Sequence, residues 1–264
     1  VFPNDPFFLQ WHINDTCNMR CKHCYCSDFT LSSIDKEKLL HVIDEYENFL
    51  KFMNKKGRIQ FAGGEPFLSP HLYDLIKTAR NKNMAVRILS NGTLIDDTIL
   101  DNLQTSGCYI VQISIEGKEK THDKIRGKGS YKKALNGAKL LKDNGIEVTL
   151  AMTLSKTNVK EIPHLFSLAA KYANRIGFHR LVPIGTGTDM IKEMLSAEEI
   201  LKAYEKIFSL KKKYPDIDVP LRDPIWRGFF NNVPKDIISG CSAGYNGLCI
   251  GSNGDVFPCR RFPK

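Results

Sequence analysis

The chain has no run of about 18 apolar residues, so no segment of it reads as a membrane span. It opens on Val1-Phe2-Pro3-Asn4-Asp5, with neither an initiator methionine nor a basic stretch leading into an apolar one. That start leads us to expect a fragment of a longer chain. No low-complexity segment occurs, and no internal repeat beyond the alternation described below. Basic residues are not gathered into a patch interleaved with aromatics, which argues against nucleic acid as a partner. An evenly spread cysteine framework, the mark of small secreted domains, is also missing.

At 264 residues the chain can form one large domain, or one domain with a small appendage. A hydrophobic share of 42% and a charged share of 25% are ordinary for a globular protein. The net charge of +9 is spread out, with only short runs such as Lys211-Lys212-Lys213, and reads as a solvated face, with an anionic ligand or acidic peptide as the alternative. The eight cysteines fall into two groups, with Cys108 alone between them. Cys17, Cys21, Cys24 and Cys26 form the first group; Cys241, Cys249 and Cys259 form the second. Tight thiol clusters in a chain of this size point to metal and to a reducing, cytoplasmic setting.

Strands and helices alternate along the sequence. Strands are expected over 7–13, 59–62, 85–89, 109–115, 147–153 and 175–182. Helices are expected over 35–52, 72–82, 96–105, 131–144, 159–172 and 197–212, the fifth strand following a stop at Gly145 and the last helix capped by Ser196. Six strand-then-helix units with short connections predict a parallel sheet. Six fall short of the eight of a closed barrel, so an open, partial (β/α)6 barrel is the first expectation and a doubly wound sheet the second. In either case ligands belong at the carboxyl ends of the strands. After Pro215 the pattern breaks, with Pro220, Pro224 and Pro234 following, and a hairpin is expected over 248–257. The expected division is a core over 1–215, a linker over 216–239 and a small appended domain over 240–264.

Cys17-Asn18-Met19-Arg20-Cys21-Lys22-His23-Cys24 directly follows the first strand. Three thiols cannot fill a four-coordinate site alone, so a fourth ligand comes from elsewhere or one position stays open for chemistry. Completion by Cys26 or His23 would make a structural zinc site, but zinc knuckles favour Cys-x2-Cys pairs and the Cys17–Cys21 spacing is wrong for that. A plain electron-carrying cluster is the other alternative. Cys26 reads as a bystander.

With Tyr25 behind it, this loop resembles the signature of the radical S-adenosylmethionine (SAM) enzymes. The resemblance implies a four-iron–four-sulfur cluster on Cys17, Cys21 and Cys24, with SAM chelated to the open iron. Gly63-Gly64-Glu65-Pro66 looks like the second motif of that family, which binds the methionine amino group. By position at later strand ends, Ser90, Asn91, Ser114 and Glu116 are expected to contact the ribose and methionine of SAM, although the family often has Asp where Glu116 stands. Arg126 resembles the arginine that pairs with the SAM carboxylate, a solvated arginine being the competing reading. The backbone from Leu181 to Ile184 is expected near the adenine, and His179 is expected to be a satisfied core histidine.

The tail, with Cys241, Gly254 and Cys259, resembles the opening of the SPASM/twitch auxiliary domain, which carries a further iron–sulfur cluster. Cys241 and Cys259 would be two of its ligands, and the domain is expected to be cut short at Lys264. Cys249 fits no ligand slot and reads as a buried structural thiol. Met190 and Met194, like Trp226, Phe229 and Phe230, read as packing residues. Proteins pairing this core with this tail mostly modify peptides, so a ribosomally made peptide is the first expected substrate, with crosslinking or epimerisation as the reaction. Arg180-Leu181-Val182-Pro183-Ile184-Gly185 also looks like the haem-pathway members, which makes a small molecule the alternative. A flavodoxin or ferredoxin is the expected electron donor. From a different class, a non-catalytic iron–sulfur electron carrier is the remaining alternative.

Overall fold

Along β1 (Phe7–His12), Phe7, Leu9 and Trp11 are buried, whereas Phe8, Gln10 and His12 are half-buried. Side chains of a strand alternate between faces, so one face of this sheet packs against helices and the other borders open space. The computed structural model describes residues 5–27, 29, 34–220, 223, 225 and 241–262. Trp226, Phe229, Phe230, Pro224 and Pro234 lie outside the described residues.

The expected alternation is present. After β1 come α1 (Lys36–Phe52), β2 (Gly57–Ala62), α2 (Leu72–Asn81), β3 (Ala85–Ser90), α3 (Asp97–Ser106) and β4 (Ile110–Ser114). The chain continues through α4 (Glu119–Arg126), α5 (Ser130–Asp143), β5 (Glu147–Leu154), α6 (Ile162–Tyr172), β6 (Arg175–Arg180) and α7 (Ala197–Lys213). Short 3-10 turns at Pro66–Leu68, Val159–Glu161 and Gly185–Glu193 fill connections. Two short strands, β7 (Gly247–Ile250) and β8 (Val256–Phe257), close the described tail.

The strands lie in the order β6-β5-β4-β3-β2-β1-β7-β8, and β1 to β6 are mutually parallel. Each strand of the core is added beside the previous one in a single direction. A doubly wound sheet would reverse direction midway, so the open partial barrel is the correct alternative. The sheet does not close: β6 and β8 are its two ends. The chain after α7 returns to the β6 end, where Ile176 N–H donates to Asp218 O at 2.9 Å and Ile217 and Val219 are buried.

Helix placement follows from apolar spacing and caps. The Asp35 carboxylate accepts from Glu37 N–H at 2.8 Å, and Leu39, Ile43, Tyr46 and Leu50 form the buried stripe of α1. Ser196 and Glu199 form a reciprocal capping box at the start of α7, as the cap at Ser196 predicts. Helix α4 was not expected from the sequence. It buries only His122 and Ile125, too few apolar positions for a periodic signal.

The hairpin expected in the tail forms, with Gly254 at φ +90 in its turn. Its first strand is hydrogen-bonded in parallel to β1, with Gln10 opposite Cys249. The Ser252 hydroxyl donates to the Asp15 carboxylate, which ties the hairpin turn to the segment leading into the thiol loop. Cys249 is buried, as expected of a structural thiol. Met190 is buried and packs, but Met194 is partly exposed just after the 3-10 turn. Among the described residues no helix is long and apolar enough to cross a membrane.

Candidate active site

The open face of the sheet and the loops at the carboxyl ends of its strands enclose a cavity of about 510 Å³. Pockets of roughly 300–1,000 Å³ hold small ligands and cofactors. Cys17, Cys21 and Cys24 all lie on its wall, with His23 and Tyr25.

Two glycine loops hold the thiol loop in place. Gly64 N–H donates to Asn14 O at 3.0 Å, and Glu65 N–H to Thr16 O at 2.8 Å. A Cβ on Gly64 would stand 2.3 Å from Thr16 O, so only glycine lets the two backbones meet. From the other side, the Thr186 hydroxyl donates to Cys21 O at 3.0 Å, and Gly187 N–H to Cys24 O at 3.2 Å. Gly185, at φ +59, passes so near Tyr25 that a Cβ there would lie 2.3 Å from its carbonyl oxygen. Gly64→Ala is therefore expected to displace the segment before Cys17. Overpacking of this kind costs about 1–3 kcal/mol. The corresponding loss of roughly 2–12 °C in melting temperature, with less iron bound per chain after reconstitution, is the result to measure.

Each sulfur of the loop has an N–H donor directed at it. Met19 N–H reaches Cys17 Sγ at 3.4 Å, Cys26 N–H reaches Cys24 Sγ at 3.4 Å, and Arg126 Nη1 stands 3.8 Å from Cys21 Sγ. The Asn91 amide adds a second donor to Cys17 Sγ at 3.9 Å. Donors suit sulfur that carries negative charge, as in metal-bound thiolate. Without a metal, burial pushes the Cys17 thiol up to about 11 and raises Cys21. Cys24 is brought down to about 6, chiefly by a hydrogen bond from the Cys26 thiol. Among the described residues no three His, Cys, Asp or Glu side chains converge on a single ion. Three sulfurs on one cavity wall, each with an N–H donor directed at it, fit a larger cluster with an open position.

Glu65 is fully buried, but its carboxylate does not face the cavity. It accepts from Ser90 Oγ at 2.9 Å, Asn91 N–H at 2.8 Å and Phe67 N–H at 3.3 Å, fastening the end of β2 to the end of β3. Burial pushes this carboxyl up to about 7. Gly63, Gly64, Ser90, Asn91 and Ser114 do line the cavity. Asn91 also donates to Asn18 Oδ1 at 2.9 Å, which joins the end of β3 to the thiol loop.

Glu116 is the hub of the opposite wall. His23 Nε2 lies 2.9 Å from Glu116 Oε1, and Arg126 reaches the same oxygen with Nε at 2.9 Å and Nη2 at 2.6 Å. Thr153 N–H donates to the other oxygen at 2.9 Å. Burial alone would raise this carboxyl, but Arg126 and His23 outweigh it and hold Glu116 well below the usual range. Its backbone N–H donates to His122 Nδ1 at 3.2 Å, and burial holds His122 neutral, down to about 4. Arg126 is neither solvated nor disengaged: it bridges a buried carboxylate and the Cys21 sulfur.

The end of β6 differs from expectation. Leu181 is buried with its N–H donating to Leu154 O at 3.3 Å, and it does not line the cavity. The cavity instead meets Gly177, Phe178, His179 and Arg180. His179 is half-buried on this wall and is not a core histidine, because β6 stops at Arg180 and its neighbours open onto the cavity. Cys241 and Cys259 lie on the same wall, with Arg260 stacked 4.3 Å from the centre of the Tyr25 ring. The inner-face polar residues Gln10, Gln60, Arg87 and Gln112 line the cavity as well and were not expected at the site. Their alternation with buried apolar neighbours was the available signal.

Comparison with known proteins agrees with this geometry. The profile of the Radical SAM superfamily matches residues 11–169. Fe-coproporphyrin III synthase of Methanosarcina barkeri is 34% identical over 215 residues, which is 80% of this chain and 53% of that protein. Mycofactocin maturase MftC of Mycobacterium tuberculosis is 26% identical over 265 residues, 96% of this chain and 64% of that protein. The crystal structure of Streptococcus suis SuiB bound to S-adenosylmethionine has the same fold, with a TM-score of 0.80 at 17% identity over 97% of this chain and 60% of that one. The chain therefore spans between about half and two thirds of the length of these relatives. Because the profile covers most of the chain, thiol loop included, the chain belongs to the radical SAM superfamily of enzymes.

Proposed function

We propose that this chain reductively cleaves SAM and uses the resulting 5′-deoxyadenosyl radical to abstract hydrogen from a substrate held in the cavity. The observation that carries this reading is the N–H donor directed at each of three sulfurs on one cavity wall. A four-iron cluster and SAM, when bound, supply the electron and the radical. Cys17, Cys21 and Cys24 would hold the cluster. Gly63 and Gly64 leave room for close backbone approach, and Ser90, Asn91 and Ser114 present hydrogen-bonding groups to the same space. Glu65 serves this wall from behind, by fixing Ser90 and Asn91. Arg126, fixed by Glu116, would meet the SAM carboxylate while steadying Cys21. Cys241 and Cys259 would contribute to an auxiliary iron–sulfur cluster of SPASM/twitch type, and a flavodoxin or ferredoxin would deliver the electron.

Two substrate classes come from the relatives. The peptide reading draws on mycofactocin maturase MftC and on the SuiB structure bound to the precursor peptide SuiA. The small-molecule reading draws on Fe-coproporphyrin III synthase and on the AdoMet-dependent heme synthase of Methanosarcina barkeri, 26% identical over 98% of this chain. The arginines of the cavity favour the second class.

The test is release of 5′-deoxyadenosine from SAM after anaerobic cluster reconstitution and addition of dithionite. Release well above the protein-free control is expected. No release from protein with a fully loaded cluster would leave the electron-carrier reading in its place.

A further inference from the structure

The deeper wall of the cavity carries a chemistry that the thiol loop does not use. Strand register sets its side chains in rows. Gln10, Gln60 and Arg87 share one row across β1, β2 and β3. Leu89, Gln112, Thr149 and Arg175 share the next, across β3 to β6. Arg58 sits beneath, paired in register with Phe8, its guanidinium carbon 5.0 Å from the Phe8 ring centre. Arg58 precedes Ala62, at the carboxyl end of β2, by four residues. At about 3.3 Å per residue, that places it roughly 13 Å below the level of the loops.

The cations of this wall are of one kind. Among the described residues, seven of the chain's 11 arginines line the cavity and none of its 27 lysines does. Among the described residues only two carboxylates line the cavity, Glu116 and Asp223, and these lie against Arg126 and Arg180; Arg175 is paired with Glu147 at 3.2 Å and Asp218 at 2.5 Å, which do not line it. A concave wall with this balance focuses a positive potential. Guanidinium differs from ammonium in presenting a planar fork that matches a carboxylate edge to edge. An independent mark of a ligand is Thr149, only 2% exposed, whose hydroxyl has no hydrogen-bond partner although it lies between Gln112 and Arg175 in its row. A buried hydroxyl left unmatched costs free energy unless a ligand meets it. Phe8, Leu89 and Phe178 add apolar surface to the same space.

We infer that this inner face binds a small substrate with an apolar body and two or more carboxylates, and that Arg58 and Arg87 are its specificity-determining residues. The inference names the substrate class for the proposed radical reaction and rests on that reading. The carboxylates reach down to Arg58 and Arg87, the apolar body lies along Phe8 and Phe178, and the upper part of the substrate faces the thiol loop.

The probe is coproporphyrin III, a tetracarboxylate on an apolar ring, titrated into the full chain with its cluster reconstituted and followed by the Soret band. Saturable binding is expected. The tetramethyl ester should bind about 100-fold more weakly, about tenfold for each of two guanidinium–carboxylate pairs that it cannot form. The Arg58→Gln/Arg87→Gln double variant is expected to weaken the free acid by a similar factor, with melting temperature and iron content measured alongside. The ester comparison uses unaltered protein, so it stands even if the variant fails to fold. Equal binding of acid and ester, or unchanged binding by a folded double variant, overturns the proposal. So does displacement of the porphyrin by an equal concentration of a six-residue glutamate peptide, which would assign the cationic wall to a peptide. Binding needs no electron and no SAM cleavage, so failure here leaves the radical reading standing, and failure of 5′-deoxyadenosine release leaves this titration readable.

Discussion

Cys21→Ala is expected to reduce 5′-deoxyadenosine release to the level of the protein-free control. Of the three loop thiols, Cys21 is the one whose sulfur faces the Arg126 guanidinium, and its carbonyl is held by Thr186. Alanine keeps the backbone contact and removes only the sulfur. Two thiolates remain, and two cannot hold a four-iron cluster while leaving one iron open for a cofactor. The half-buried side chain contributes little packing, so removing it should cost the apoprotein no more than about 1 kcal/mol. Loss of chemistry with an almost unchanged melting temperature is therefore the expected pattern. Cys26→Ala separates ligand from neighbour: it removes a hydrogen bond to Cys24 but no expected ligand, and should retain most of the bound iron. SAM cleavage by folded Cys21→Ala protein would show that the loop is misassigned. Iron content and 5′-deoxyadenosine, measured on the same samples, decide between these outcomes.

Much of the architecture was legible because each strand–helix unit announces itself locally. Apolar runs mark the strands, i, i+3, i+4 spacing marks α1 and α7, and Ser196 marks the start of the last helix. The thiol spacing and the two glycines before Glu65 were equally local signals. What the sequence could not disclose depends on contacts between distant segments. Glu65 looks like a ligand-binding group at a strand end, yet its carboxylate is consumed by Ser90, Asn91 and Phe67. Leu181 lies one residue beyond the point at which β6 faces the cavity, and strand ends are the least predictable feature of a pattern. Helix α4 has a polar sequence and forms largely on the strength of its contacts, including those of His122 and Arg126 with Glu116. The arginine rows needed the register of six strands before they became visible as one surface.

Glu116→Gln is expected to be the most destabilising single change at the site. In the folded chain one carboxylate with no exposed surface is shared by Arg126 and His23 and also accepts Thr153 N–H. Glutamine has nearly the same shape but removes the charge and turns an N–H donor toward a wall already occupied by donors. Arg126 is then left buried without its counter-ion, and breaking a buried pair in this way costs about 3–5 kcal/mol. At about 2–4 °C per kcal/mol for a domain of this order of size, melting should fall by roughly 6–20 °C. The pH dependence gives a second check. The folded carboxyl lies below its ordinary value of 4.5, so its contribution is complete above that value and fades as pH falls toward the lower folded value. The gap in stability between the two proteins should therefore be widest near neutral pH and narrow in acid. Glu116→Asp keeps the charge but withdraws it by one methylene, and should lose less. If Glu116→Gln melts with the unaltered protein at neutral pH, Arg126 finds another partner, and the link from Glu116 through Arg126 to the Cys21 sulfur does not hold the thiol loop.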